Sequence, residues 1–132
     1  MPTPEHREVA EVLLGKARGD LSAAQLLNAT EDQSDDVVGF HLQQATEKAL
    51  KSILAASGVE VPRTHDLEYL VEMLERAEFE VDEAIKTVGW LSAWGVTFRY
   101  EDADDLDRDG ALQAATAAVA LAEEVLAERR SN

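Results

Sequence analysis

One polar segment of the chain carries side chains that could together bind an anion. A nitrogen donor recurs every three or four residues there, at His41, Gln44, Lys48 and Lys51. A helix would place these side chains on one face, where they could contact a phosphate or a carboxylate. The alternative is a solvated helix face on which Glu47 and Lys51 form an ordinary ion pair one turn apart.

A second candidate is the tripeptide Thr64-His65-Asp66, which precedes an apolar helical pattern. His65 could transfer a proton, or contact an anion where the backbone N–H groups of that helix begin. The alternative is structural, because Thr64 and Asp66 are ordinary helix-capping residues and His65 could pack against the preceding helix.

Arg99 and Tyr100 form a third candidate, since an arginine beside aromatic residues can bind phosphate or pair with a carboxylate. The alternative is an internal ion pair with the acidic residues that follow, which are Glu101, Asp102, Asp104, Asp105, Asp107 and Asp109.

The same acidic stretch resembles the opening of a calcium-binding loop. Asp105, Asp107 and Asp109 alternate with other residues and Gly110 follows, as in the D-x-D-x-D-G pattern. Thr116, however, occupies the position where a bidentate Glu would complete the coordination. We expect no resident metal here, and Asp107 or Asp109 could simply cap the helix that follows.

Other site chemistries are absent as sequence patterns. The chain has no cysteine, which excludes disulfides, thiolate metal sites and thiol nucleophiles. It has no glycine-rich phosphate loop, no zinc-binding H-E-x-x-H and no G-x-S-x-G nucleophile motif. We therefore expect no cofactor.

The elements that must position these residues are helices. Apolar residues recur at intervals of three and four in the first segment, whose inner stripe is predicted as Val9, Leu13, Ala17, Leu21, Ala24 and Leu27. Thr3 and Pro4 predict its beginning. The second helix carries Val38, Leu42, Ala45, Ala49, Ile53 and Ala56 on one face, and Gly58 predicts its end.

Three further helices complete the prediction. A short one follows Asp66, a fourth spans about Val81 to Phe98 with Gly89 and Gly95 as weak points or sites of close contact, and a fifth runs from about Asp109 to Arg129. We find neither a repeat nor a linker. The sequence predicts a single domain over 1–132, an all-α, up-and-down antiparallel bundle of about five helices.

The charge of the chain narrows the partners. With 27 acidic and 12 basic side chains the formal net charge is −15, which repels nucleic-acid backbones and anionic membranes. The N-terminus lacks the apolar core of a signal peptide, and no run approaches the ~20 apolar residues of a membrane span. We expect a cytoplasmic protein that does not bind membranes, and that binds no nucleic acid unless it is an enzyme acting on RNA.

Taken in order, three motifs resemble the HEPN domain family: the segment from Phe40 to Lys51, the Thr64-His65-Asp66-Leu67 turn, and Arg99-Tyr100. The resemblance implies a helical bundle, commonly a homodimer, often encoded beside a minimal nucleotidyltransferase. It makes Gln44, Lys48, Lys51, His65 and Arg99 candidate contacts for a nucleotide.

Many HEPN proteins are ribonuclease toxins that use an Arg followed after four to six residues by a His. Arg99 is followed at those distances by Asp104, Asp105 and Leu106, so this pattern is missing. We therefore expect a non-catalytic homodimer that binds a nucleotidyltransferase and a nucleotide in a toxin–antitoxin-like pair. The alternatives are a divergent ribonuclease using Arg99, Tyr100 and His65, and a purely structural helical adaptor.

Overall fold

The computed structural model describes residues 2–30, 32–95 and 105–130. The helices are α1 (Pro4–Asn28), α2 (Asp35–Ala56), α3 (Leu67–Arg76), α4 (Glu83–Lys86) and α5 (Arg108–Arg130), with a 3₁₀-helix at Val88–Gly95 between α4 and α5. The described residues contain no strand. The predicted all-α bundle is therefore confirmed.

The three long helices form the body of the bundle, and α1 runs antiparallel to both α2 and α5. At one end, Arg108 at the start of α5 bonds Asp35 at the start of α2 and Asn28 at the end of α1. At the other end, Arg130 bonds Glu11 near the start of α1. Helix α2 is the central element, since 14 of its 22 residues are buried.

Local signals for the helix ends are as predicted. Thr3 caps α1 by accepting a hydrogen bond from the backbone N–H of His6, whose side chain in turn accepts one from Thr3 N–H. Gly58 follows α2 with a φ of 80°, and the N–H of Val59 donates to the carbonyl of Leu54. This is the Schellman geometry, which favours glycine.

The inner face of α1 agrees with the prediction at Ala17 and Ala24, which are buried, and differs from it toward the beginning of the helix. Val9 is 44% exposed, and Leu13 is half-buried, whereas Ala10 and Leu14 are fully buried in their place. Ala10, Ala17 and Ala24 recur every seven residues and let α1 pack closely against its neighbours. Near the beginning of α1 the buried positions are therefore one residue later than predicted, at Ala10 and Leu14.

The predicted fourth helix is wrong in its extent. In place of one helix from Val81, the chain forms α4 of four residues and then the 3₁₀-helix, while 96–104 lie outside the described residues. Gly89 and Gly95 do mark close contacts, because a Cβ on Gly95 would lie 2.5 Å from the Gln43 side chain and one on Gly89 3.2 Å from Glu68.

Helix α5 also corrects the sequence expectation about membrane spans. Its length and composition would suffice to cross a membrane. Its inner face is buried within the bundle through Ala111, Ala115, Ala118, Ala122 and Leu126. A helix in the core of a bundle passes the same test of length and composition.

Candidate functional site

The polar face of α2 meets the turn before α3 in a connected cluster of side chains, which we call the Glu47 cluster: Gln43, Glu47, Lys51 and His65. Glu47 lies at its centre with 6% of its side chain exposed. Its Oε1 accepts hydrogen bonds from Gln43 Nε2 and His65 Nδ1, both at 2.9 Å, and its Oε2 accepts one from Lys51 Nζ at 3.0 Å. A buried carboxylate is thus fully partnered.

These contacts determine the charge state of Glu47. Burial alone would raise the pKa of its carboxyl, because a charged group is poorly solvated there. The hydrogen bonds from the three partners outweigh burial and hold the pKa of Glu47 below its ordinary value. Glu47 is therefore an anion at neutral pH, and the nearby Lys51 ammonium balances its charge.

The turn that carries His65 is fixed by its own hydrogen bonds. Asp66 caps α3 by accepting from the N–H groups of Glu68 and Tyr69, and Thr64 Oγ1 accepts from Asp66 N–H. The predicted capping role of Asp66 is confirmed, whereas Thr64 bonds the N–H of Asp66 and none of the N–H groups of α3. Ser92 on the 3₁₀-helix accepts a hydrogen bond from Leu67 N–H, which anchors the beginning of α3.

His65 is nevertheless open to solvent, since 80% of its side chain is exposed. With Nδ1 held by Glu47, the ring is oriented and its Nε2 edge is left for an outside group. A carboxylate that orients an imidazole in this way is a recurring arrangement in acid–base and ligand-binding sites.

A second set of contacts neutralises the rest of the polar face. Lys48 Nζ lies 2.6 Å from Asp20 Oδ2, and His41 Nδ1 lies 3.5 Å from Asp20 Oδ1. Gln44 Nε2 donates to Gln43 Oε1 at 2.7 Å. The predicted donors do share a face, but α1 and α2 themselves provide carboxylate or amide acceptors for each of them.

The alternative prediction, a solvated helix face with a Glu47–Lys51 ion pair, was right about the pair and wrong about its exposure to solvent. Glu47 and Lys51 do form the predicted pair one turn apart. However, their side chains are only 6% and 11% exposed, so the pair belongs to the interior and not to a solvated face. Sequence analysis did not identify Asp20 as the partner of Lys48. The feature that could have identified it is an acidic side chain on the side of α1 that packs beside α2.

The remaining predicted residues are placed only in part. Arg99 and Tyr100 lie outside the described residues. Asp107 caps α5 by accepting from Gly110 N–H at 3.0 Å. Within the described ranges, Asp105, Asp107 and Asp109 form no group that could hold a metal ion. Arg108, the first residue of α5, bonds Asp35, Asn28 and the carbonyl of Gln33.

The three long helices and the polar residues of α2 describe a small helical-bundle domain. The family model of the HEPN domain matches residues 10–131, which is nearly the whole chain. The chain therefore belongs to the HEPN domain family. Comparisons with curated proteins and with solved structures gave no match.

Proposed function

We propose that this HEPN protein works as a homodimer that binds a minimal nucleotidyltransferase, as one half of a toxin–antitoxin-like pair in the cytoplasm. Family membership supports the general type, and the surface of α1 supports protein binding. That surface carries the single observation on which the proposal depends.

The observation is an uncharged strip along the solvent side of α1, which we call the outer face: Val12, Gly15, Gly19, Ser22 and Leu26. These residues follow at intervals of three and four, so they share one line on the helix. Val12 is 52% exposed and Leu26 is 73% exposed. From Val12 to Leu26, about 21 Å of helix, this line carries no charge in a chain that is 30% charged.

The two glycines on the outer face have no role inside the chain. No atom lies within 4 Å of where a Cβ on Gly15 or Gly19 would be, and neither has a positive φ. Each weakens the helix by roughly 1 kcal/mol relative to alanine. Glycines four residues apart do, however, let the backbone of another helix approach closely. A protein partner gives them a purpose that the isolated chain does not.

The ion pairs of α2 argue against binding of a free anion on its polar face. Lys48 and Lys51 already neutralise Asp20 and Glu47. A nucleotide would therefore have to contact the exposed edge of His65, with Arg99 as its second candidate contact.

Co-purification tests the partner. The protein encoded by the adjacent gene, if it is a nucleotidyltransferase, is expected to co-purify with the tagged wild-type chain. Val12→Glu is expected to convert the dimer to a monomer, whereas Val37→Glu, at an apolar residue 39% exposed on α2, should leave the dimer and the recovered partner unchanged. An unrelated neighbour, or one that is never retained, would contradict the proposal.

Titration with ATP and AMP tests the nucleotide. We expect a rise in melting temperature that His65→Ala reduces, because binding to the folded state alone stabilises it. Equal melting temperatures with and without either nucleotide would remove this part of the proposal.

One observation favours a second function, cleavage of RNA. The Glu47–His65 pair orients an exposed imidazole, which suits proton transfer. If this function holds, purified protein should cleave RNA, and both His65→Ala and Glu47→Gln should lower the rate by about 10²-fold or more. Intact RNA after incubation with the folded wild-type protein would exclude it.

A further inference from the structure

Three arginines line a small cavity at the end of the bundle where α1 begins and α2 and α5 end. The cavity encloses about 80 Å³ and is lined by Arg7, Ala10, Glu11, Ala56, Leu126, Arg129 and Arg130. We call it the arginine pocket. Ala10, Ala56 and Leu126 are at most 3% exposed and form an apolar floor, and the charged residues form the rim.

The acidic residue of the rim is already occupied. Arg130 Nε lies 2.5 Å from Glu11 Oε1, and Arg130 Nη2 lies 2.7 Å from Glu11 Oε2, so the two side chains form a two-point pair. This pair fixes one wall of the pocket. It leaves Glu11 little capacity to neutralise another arginine.

The other two arginines keep their donors. Neither Arg7 nor Arg129 forms a side-chain hydrogen bond or an ion pair with any residue in the described ranges, although acidic residues outnumber basic ones 27 to 12. Each guanidinium offers five N–H groups in a planar fork that matches an oxyanion.

Helix polarity explains only part of this arrangement. Arg129 and Arg130 lie in the last turn of α5, where a cation interacts favourably with the helix dipole. Arg7 is the fourth residue of α1, near the end where a cation is disfavoured. Arg7 and Arg129 line the same cavity, and no acidic side chain of the described residues pairs with either of them.

We propose that the arginine pocket binds a small organic anion, in which a carboxylate or phosphate group contacts Arg7 and Arg129 and a short apolar body rests on the floor. The volume is a few times that of one water molecule and fits a body of a few carbon atoms. This site lies apart from the Glu47 cluster and does not depend on the proposed partner.

NMR titration of the full chain with butyrate, monobutyl phosphate and the neutral butyramide tests the proposal. We expect saturable shifts of the Ala10, Ala56 and Leu126 signals with at least one of the two anions, and weaker binding of butyramide by at least tenfold. Comparing the two anions identifies which oxyanion the arginines prefer. Butyramide binding as well as both anions, or shifts that never saturate, would overturn the proposal.

Matched variants separate a built site from general attraction. Arg7→Gln and Arg129→Gln should each weaken anion binding at least tenfold, and Arg76→Gln, an exposed arginine at the end of α3, should leave it unchanged. All three change an exposed residue, so their unfolding curves should match that of the wild type. Equal binding by all three variants, or equal loss in all three, would contradict the site.

Discussion

The polar face of α2 and the outer face of α1 differ in how well the sequence predicted which of them is available to a partner. In the sequence, α2 carries the residue types of a binding surface, whereas α1 reads as scaffold. In the structure, the α2 donors are satisfied by acceptors of the same chain, and Glu47 is buried among them. The outer face of α1, by contrast, leaves Val12 and Leu26 exposed with two glycines between them.

The difference shows that residue type alone does not reveal which surface is available to a partner. A charged group is free for a ligand only when its own chain does not neutralise it. An apolar group is free when no other element covers it. Within the described residues, the first condition is met by Arg7 and Arg129 of the arginine pocket, and the second is met by the outer face of α1.

The largest expected effect comes from removing the buried charge of the Glu47 cluster. Glu47→Ala leaves Lys51 almost buried without its carboxylate, and we expect a loss of about 3 kcal/mol in the free energy of unfolding. Urea unfolding at fixed protein concentration measures it. Glu75→Ala, at an exposed position on α3, is the control and should cost less than about 0.5 kcal/mol. If Glu47→Ala lowers the free energy of unfolding by less than about 1 kcal/mol, the cluster contributes no more than a solvated surface ion pair.

The same cluster predicts how stability depends on pH. Burial raises the folded-state pKa of Glu47, but the three hydrogen bonds outweigh burial and hold this pKa below its ordinary value of 4.5. Its carboxylate therefore stabilises the fold above pH 4.5, and this contribution is lost as the pH falls through the lowered pKa. Unfolding curves at several pH values should show the wild type and Glu47→Gln converging in acid. A constant difference between them would contradict the pKa direction.

The outer face predicts opposite effects on helix stability and on association. Gly15→Ala and Gly19→Ala should each stabilise the dilute, monomeric chain by up to about 1 kcal/mol, because alanine favours helix. Added methyl groups should hold a second helix away, so the dimer dissociation constant should rise by at least tenfold. Sedimentation at several concentrations measures it. If the variants are more stable but their dimer dissociation constant is unchanged, Gly15 and Gly19 do not lie in the dimer interface.

The smallest effect concerns the end of α3, far from both faces. Glu78 has a φ of 67°, in the left-handed region that favours glycine. Glu78→Gly should raise the free energy of unfolding by about 0.5 to 1 kcal/mol. Gly58→Ala makes the reverse change at a φ of 80° after α2 and should lower it by a similar amount. Shifts of the same sign in both variants would contradict this account.

The sequence predicted the features that local chemistry determines. Thr3, Gly58 and Asp66 mark helix boundaries because a cap acts on the backbone beside it. The buried face of α2 was also predicted, since Val38, Leu42, Ala45, Ala49, Ile53 and Ala56 are all buried. The Glu47–Lys51 pair followed from helical spacing.

The missed features depend on packing between elements. Asp20 reaches Lys48 across 28 residues of sequence, and that spacing signals no contact. The contact of His65 with the preceding helix was one of the two alternatives, but Glu47, 18 residues away, was not identified as its partner. Near the beginning of α1, Ala10 and Leu14 are buried in place of the predicted Val9 and Leu13, whereas Ala17 and Ala24 are buried as predicted. The predicted fourth helix was replaced by α4, which ends at Lys86, and by the 3₁₀-helix, whose Gly95 lies against the Gln43 side chain.

The most direct test of the central claim is the mass of the particle in solution, measured by multi-angle light scattering at physiological salt. We expect a dimer of the 14.4 kDa chain for the wild type and for Val37→Glu, and a monomer for Val12→Glu. Salt matters because 15 net negative charges on each copy repel one another when unscreened. A monomeric wild type, or a Val12→Glu variant that stays dimeric, would contradict the account.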